Sequence, residues 1–246
     1  MQSRARLIVV GCVTLLASLI YFFPARVAYQ WLPAPTFNLG GISGSLWNGQ
    51  ASQVQSGSLY MQDLHWRIKP LSLFTGQLRY QIEGSPASGF IDGEVSMNLS
   101  GAVTASDLRG SMSLQPFGQL VGIRGLSGML NGEFERLVIE NGIPTAANGV
   151  FEVLNLIAPN IHRASIGGYR AEFFTQDTGV VASIEDTDDG LIDVAGSLQL
   201  SADGTYKFVA QLAPKNNTPA NVRQQLQLLG SANDRGQHEL RLEGQL

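Results

Sequence analysis

Short runs in which apolar and polar residues alternate recur along most of this 246-residue chain, and no other feature limits its fold as strongly. In "DLHWRIK", Leu64, Trp66 and Ile68 alternate with Asp63, His65, Arg67 and Lys69. In "QLRYQIEG", Leu78, Tyr80 and Ile82 alternate with Gln77, Arg79, Gln81 and Glu83. Successive side chains of a strand point to opposite faces, so each run has one dry and one wet side. The scheme returns at Val95, Met97 and Leu99, at Met112 and Leu114, and at Ile192, Val194, Leu198 and Leu200. It closes with Tyr206, Phe208, Ala210 and Leu212, then Leu240 and Leu242. Parallel strands need a crossover of about a dozen residues or more, and most connecting segments here are short and turn-like. The sheet is therefore expected to be largely antiparallel. Charged residues make up only 15% of the chain and glycines number 28, which also favours strands and turns over helices.

A phrase is written twice. "GISGSLWNG" occupies 41–49 and "GLSGMLNG" occupies 125–132; they align with Trp47 as a single insertion. Each copy ends in Asn-Gly, at Asn48-Gly49 and Asn131-Gly132, a pair that tolerates positive φ in tight hairpin turns. Each is expected to be a short strand closed by such a turn. Two matches this short are compatible with a duplicated hairpin and with coincidence.

Residues 7–23, "LIVVGCVTLLASLIYFF", carry no charge over 17 residues, close to the ~20 that cross a bilayer as a helix. Arg4 and Arg6 precede them, which holds that end in the cytoplasm and sends the remainder across. A cleaved signal peptide would need small residues in an A-x-A-like pattern near Pro24 to Ala28, and each such pair contains Val or Arg. An uncleaved anchor is the expectation, with Tyr21, Phe22, Phe23, Tyr29 and Trp31 forming an aromatic belt at the outer interface. The single cysteine, Cys12, permits no intramolecular disulfide; too few apolar residues precede it for a lipidation signal, and it reads as a buried, inert thiol.

One further segment has helical spacing. Thr218 suits an N-cap and Pro219 the first helical position; Val222, Leu226 and Leu229 share a face, and Gly230 can end the helix. A weaker helical turn is expected at 117–121.

Catalytic and ligand patterns are sparse. His65, His162 and His238 are far apart in sequence, without the helical i, i+4 spacing of a zinc pair, and read as solvated strand residues. No serine occupies a G-x-S-x-G elbow or precedes a lysine at S-x-x-K spacing. "EDTDDG", 185–190, places its glycine one position too early for a calcium loop and reads as a charged hairpin tip. Gly167-Gly168 lacks the strand-to-helix setting of a phosphate loop. A net charge of −4 with 16 scattered basic residues argues against nucleic acid as a partner. Trp47, Trp66 and Tyr80 read as sheet core rather than a base-stacking platform. No enzyme, cofactor or metal is expected.

"GISGSLWNGQASQV" followed by "LHWRIKPLSLFTGQLRYQIEG" resembles the type II secretion system protein N family, with its Gly-x-Leu-Trp-x-Gly phrase, then Trp-x-x-x-Pro, then a glycine opening another amphipathic strand. The N-terminal apolar run and "PARVAYQWLP" fit the same pattern. The segment from Trp66 to Gly76 also resembles the AsmA-like proteins, whose strands form a curved, apolar-lined trough associated with lipid handling. The resemblance implies a mainly β protein: a large, strongly curved antiparallel sheet, as an open trough, partial barrel or sandwich, with one short helix near the C-terminus and a single transmembrane helix before it. It implies a cytoplasmic 1–6, an anchor at 7–23 and a periplasmic domain at 24–246. Its partners would be other secretion subunits, the inner membrane and, in the AsmA-like reading, lipid. Gly44, Leu46, Trp47, Gly49, Trp66, Pro70 and Gly76 match the motif, and the role it implies for them is structural. Trp47 would cover a tight turn and Pro70 would end the strand begun at Asp63.

Overall fold

The computed structural model describes residues 2–31, 37–57, 59–70, 72, 76–86, 88–98, 100–187 and 190–246, with 2–9 and 17 described by backbone alone. Leu99, Asp188 and Asp189, invoked above, lie outside the described residues. Two helices come first, α1 (Gln2–Tyr21) and α2 (Ala25–Gln30). Strands follow: β1 (Asn38–Gly40), β2 (Ser43–Gly44), β3 (Asn48–Ser56), β4 (Leu59–Ile68), β5 (Leu78–Pro86), β6 (Phe90–Met97) and β7 (Val103–Ser113). After the one-turn α3 (Phe117–Leu120) come β8 (Ser127–Glu140), β9 (Ile143–Ala158), β10 (His162–Gln176), β11 (Gly179–Asp186), β12 (Ile192–Ser201) and β13 (Thr205–Pro214). The chain ends with α4 (Ala220–Gln227) and β14 (His238–Gln245).

These strands make one 14-stranded sheet in which, from β3 onward, spatial order equals chain order and every pairing is antiparallel. β14 does not return to β1, so the sheet is open, and of the three expected arrangements the trough describes it. Cross-strand partners stand on the same face, which lets the apolar stripe be followed through the register. One row runs Ile68, Tyr80, Val95, Ala105, Leu137 from β4 to β8. A second runs Leu108, Phe134, Gly149, Phe173, Ala182, Leu198, Phe208, Leu242 from β7 to β14. Leu108, Phe134, Leu137 and Phe173 meet in one cluster with Val180, Leu200 and Tyr206, so both rows share a face. No second sheet covers that cluster among the described residues, yet Phe134 is only 3% exposed and Val180 3%. In a single layer such burial requires the sheet to curl over its own apolar face, which makes that face the concave one.

Glycines make the curl possible. Phe134 and Phe173, on strands two apart, bring their rings to 5.6 Å because Gly149 lies between them in the row. A Cβ there would sit 2.4 Å from Glu133 O and 2.6 Å from Phe134 Cδ1. Three more glycines lie directly across from a ring that covers them: Gly49 under Trp66, Gly132 under Phe151 and Gly244 under Tyr206. This is the aromatic cover of strand glycines by which curved sheets avoid an exposed, unpacked backbone.

The twice-written phrase therefore needs correction. In the first copy, the turn is Ser45 to Asn48, closed by Ser45 N–H to Asn48 O at 2.9 Å, and Asn48-Gly49 already belongs to β3. In the second copy, β8 passes through Asn131-Gly132 without turning. What the copies share is a glycine beneath an aromatic ring of the next strand, and a positive φ at Gly44 (86°) and Gly128 (138°). The two-residue Asn-Gly turn lies elsewhere, at Asn141 (φ 52°) and Gly142 (φ 83°) between β8 and β9.

The helices cap one end of the trough. Val222 and Leu226 of α4 are buried against Ile192, Leu191, Val194 and Leu212, and α3 brings Phe117 to Leu114, Leu126 and Ile166. The expected facing of Val222 and Leu226 is thus found, but Leu229 lies beyond the helix and is 40% exposed. Thr218 does not cap α4. Its buried hydroxyl donates instead to Leu191 O, and Pro219 holds the N-cap position. Helix α3 fills the helical turn expected at 117–121, whereas α2 was not expected. Cys12 is exposed on α1, not buried. Among the described residues no helix is long and apolar enough to cross a membrane. Because α4 rests on few side chains, Leu226→Ala is expected to cost about 2 kcal/mol, read as a lower denaturant midpoint with unchanged slope.

Candidate functional site

Two features could serve a function, and both are surfaces rather than catalytic pockets. The first is the junction between the N-terminal helices and the sheet. Trp47 Nε1–H donates to Ile20 O at 2.7 Å, Leu46 N–H donates to Phe23 O at 2.9 Å, and Pro24 bridges to Ser45. Trp47 O in turn accepts from Ile68 N–H at 2.7 Å, and Trp66 Nε1–H donates to Ser45 O at 3.3 Å. The β2–β3 turn is therefore clamped between the last turn of α1 and strand β4. Gly44 is needed here for its positive φ and because a Cβ would lie 2.6 Å from Asn48 O; Gly49 makes room for Trp66, whose Cζ2 would be 2.5 Å from an added Cβ. Tyr29 of α2 fixes the chain on the other side, donating its hydroxyl to Phe37 O and accepting from Leu39 N–H.

Of the motif residues, the structure thus brings Gly44, Leu46, Trp47, Gly49 and Trp66 together at this junction. Pro70 and Gly76 lie apart from it in the β4–β5 connection. β4 ends at Ile68, just before Pro70, but begins at Leu59, four residues ahead of the expected start at Asp63, which instead holds a bulge at φ 50°. Ile20 and Phe23 hold the turn through their carbonyl oxygens, a role that no side-chain pattern signals.

The second feature is the concave apolar face. Its middle is filled by its own rings: Phe134, Phe151 and Phe173 lie 4.8 to 5.7 Å apart, centroid to centroid. Its flanks are open, with Leu78 43%, Met97 49% and Leu242 51% exposed. A cavity of about 220 Å³ near α3 is lined by Val54, Leu59, Met61, Ile91 and Met112. The convex face is wet, carrying cross-strand ion pairs such as Arg109–Glu133 at 3.0 Å and Arg170–Glu152 at 2.6 Å.

With this geometry in place, comparison with known proteins is decisive for the family. The model of the type II secretion system protein N family matches residues 35–241, the sheet from β1 to the middle of β14. The chain belongs to that family. It is 28% identical over 242 residues to the type II secretion system protein N of Vibrio cholerae, covering 94% of each chain. It is 22% identical over 264 residues to the protein of the same name from Aeromonas hydrophila, covering all of both. No solved structure matches the chain.

In this protein N family member Asp186, Tyr169 and His238 are tied into the fold. Asp186, from the acidic run expected to be a hairpin tip, ends β11 and pairs with Lys215 Nζ at 2.5 Å, while its Oδ1 accepts from Val194 N–H at 2.7 Å. Burial pushes this carboxyl up, but the Lys215 and Val194 contacts outweigh it and hold it below its ordinary range. Burial, with the Asp186 charge adding to it, pushes the Tyr169 hydroxyl up to about 12. His238 corrects another expectation: it is buried at 7% exposure, donating from Nδ1 to Gly230 O at 2.8 Å, because it opens β14 where the chain returns from α4. His65 lies in β4 and His162 at the start of β10, so the sheet order keeps all three apart. Among the described residues no group of three or more His, Cys, Asp or Glu could hold a metal.

A depressed carboxylate contributes stability above its unfolded pKa, near 3.8, and loses it as pH falls through the lower folded value. The wild-type chain is therefore expected to lose stability more steeply than Asp186→Asn as pH falls from about 5 to about 3, measured by thermal unfolding at stepped pH.

Proposed function

We propose that this chain acts in type II secretion as an inner-membrane-anchored periplasmic component that assists export of folded proteins across the outer membrane by protein contacts, without catalysing a reaction. The family match across the sheet carries this reading. Anchoring by α1 is supported by its length of 20 residues, about 30 Å at 1.5 Å per residue. The side chains described from Val10 to Phe23 are too few for a span by themselves; with Leu7, Ile8 and Val9 of the sequence the uncharged run reaches 17 residues. Val10, Val13, Leu15, Leu16, Leu19 and Ile20 are each 58–63% exposed, as lipid-facing residues would be.

The test is deletion and complementation. Loss of the chain should leave exported enzymes in the periplasm while the outer membrane still excludes a large hydrophilic antibiotic; normal export from the deletion strain would end this reading. A second reading, a periplasmic lipid or hydrophobic-ligand carrier of AsmA-like type, is favoured by the open flanks of the concave face and the apolar cavity near α3. It predicts normal export, a leaky envelope and lipid extractable from the purified full chain in stoichiometric amount.

A further inference from the structure

The two edges of the sheet differ. At the first, β1 and β2 cover parts of β3, and the carbonyl oxygens of Ile20 and Phe23 clamp the adjoining turn. At the last, β14 stands alone for eight residues. Leu246 N–H points back to Gly204 O at 3.0 Å, which sets the phase of the strand: the backbone groups of His238, Leu240, Leu242 and Gly244 face β13, and those of Glu239, Arg241, Glu243 and Gln245 face outward. Among the described residues nothing pairs with these outward groups. β14 has no proline, bulge or lysine, and its edge charges, Glu239, Arg241 and Glu243, are of mixed sign, which a partner strand in the right register can match.

We propose that β14 pairs antiparallel with β14 of a second copy of this chain, in the register that sets Leu242 opposite Leu242 across a two-fold axis. The outward groups must meet outward groups, and this leaves four registers with substantial overlap, of which centring on Glu243 sets Glu243 against itself on the wet face. Centring on Arg241 sets Glu239 against Glu243 twice, a like-charge clash on the wet face. Centring on Leu240 sets Glu239 against Arg241 but leaves the Gly244 end of the strand facing the loop before it. Centring on Leu242 sets Arg241 against Glu243 twice and Glu239 against Gln245 twice, using the whole of β14 and forming roughly eight backbone hydrogen bonds. Arg241, held among the described residues by Glu239 of its own strand at 3.0 Å, would bridge to the partner's Glu243, which reaches Lys207 no closer than 3.6 Å. On the concave side the half-exposed Leu242 residues would cover each other. The pairing is isologous, so it closes at two copies and does not propagate.

The test uses the full chain carrying Cys12→Ala, reconstituted in lipid nanodiscs or detergent, with single cysteines introduced at Leu242, Leu240 or the loop residue Leu228. Leu242 would form a non-hydrogen-bonded pair with its Cα atoms about 4.5 Å apart, within disulfide reach, whereas the two Leu240 positions would be roughly 14 Å apart. Under mild oxidation, Leu242→Cys is expected to give disulfide-linked dimer at least about tenfold faster than Leu240→Cys or the 83% exposed Leu228→Cys, which reports random collision. Adding Arg241→Glu should remove that advantage, and adding Glu243→Arg to it should restore the advantage. Equal rates at the three positions, a faster reaction at Leu240, or no response to the charge reversals would overturn the proposal. So would a full chain that remains monomeric at micromolar concentration, which would leave β14 to a strand of another protein.

Discussion

Phe134→Ala is expected to cost about 3–5 kcal/mol and to abolish the cooperative unfolding of β7 to β13 as one unit. The ring is 3% exposed and lies within 4.8 Å of Phe151 and 5.6 Å of Phe173, centroid to centroid. Its removal would open a void that neighbours cannot fill, because Gly149 beside it has no side chain to move inward and backbone curvature fixes the distance to Phe173. Phe134→Leu should recover much of the loss by restoring volume. Chemical unfolding followed by tryptophan fluorescence would not suffice as the readout, since Trp47 and Trp66 sit at the far edge. Hydrogen exchange of β8 to β11 amides reads the site directly. Retained protection there in Phe134→Ala would mean that the curl is held by the register of the strands and not by the rings inside it.

The antiparallel sheet was readable because β13 and the part of β4 after its bulge keep a period of two: Tyr206, Phe208, Ala210, Leu212, and Leu64, Trp66, Ile68. The longest strands were not readable for the same reason in reverse. In β8 the inward residues Phe134 and Leu137 are three apart, and the alternation changes phase between them. β9 shifts at Asn155, a non-glycine at φ 52°, and β10 shifts between Gly167 and Tyr169. Each irregularity keeps apolar side chains on the concave face while the sheet coils, so the physical cause of the curvature is also what hides the strands from a periodicity reading. Asn-Gly misled for a related reason. The pair marks a turn only where both residues take positive φ, as Asn141 and Gly142 do; at Gly132 the glycine answers to the ring of Phe151. The junction was half visible. Trp47 and Trp66 were picked out by the family motif, but their partners are backbone carbonyls, which carry no residue signature.

Gly149→Val is expected to cost about 3 kcal/mol or more, well beyond the cost of Gly132→Ala, although both glycines lie in the same pair of strands facing rings. The difference is in what the new atoms would meet. At Gly132 the nearest atoms to a Cβ are Cε1 and Cδ1 of Phe151, at 2.7 and 3.0 Å, and this ring is 38% exposed, so it can turn aside toward solvent at small cost. At Gly149 the nearest atom is Glu133 O at 2.4 Å, followed by Phe134 Cδ1 at 2.6 Å and Phe134 Cα at 2.7 Å. Two of the three are backbone, so β8 and β9 would have to separate, breaking ladder hydrogen bonds beside the buried Phe134 and Ala147. The measurement is a comparison of thermal midpoints for the two variants beside Phe134→Ala. If the concave face acts in secretion only as a scaffold, Gly149→Val should export as poorly as a deletion while Gly132→Ala exports normally. If Gly132→Ala folds with a wild-type midpoint yet fails in export, the ring of Phe151 is itself part of the working surface, and the middle of the concave face, not the clamped junction, becomes the place to look for a bound partner.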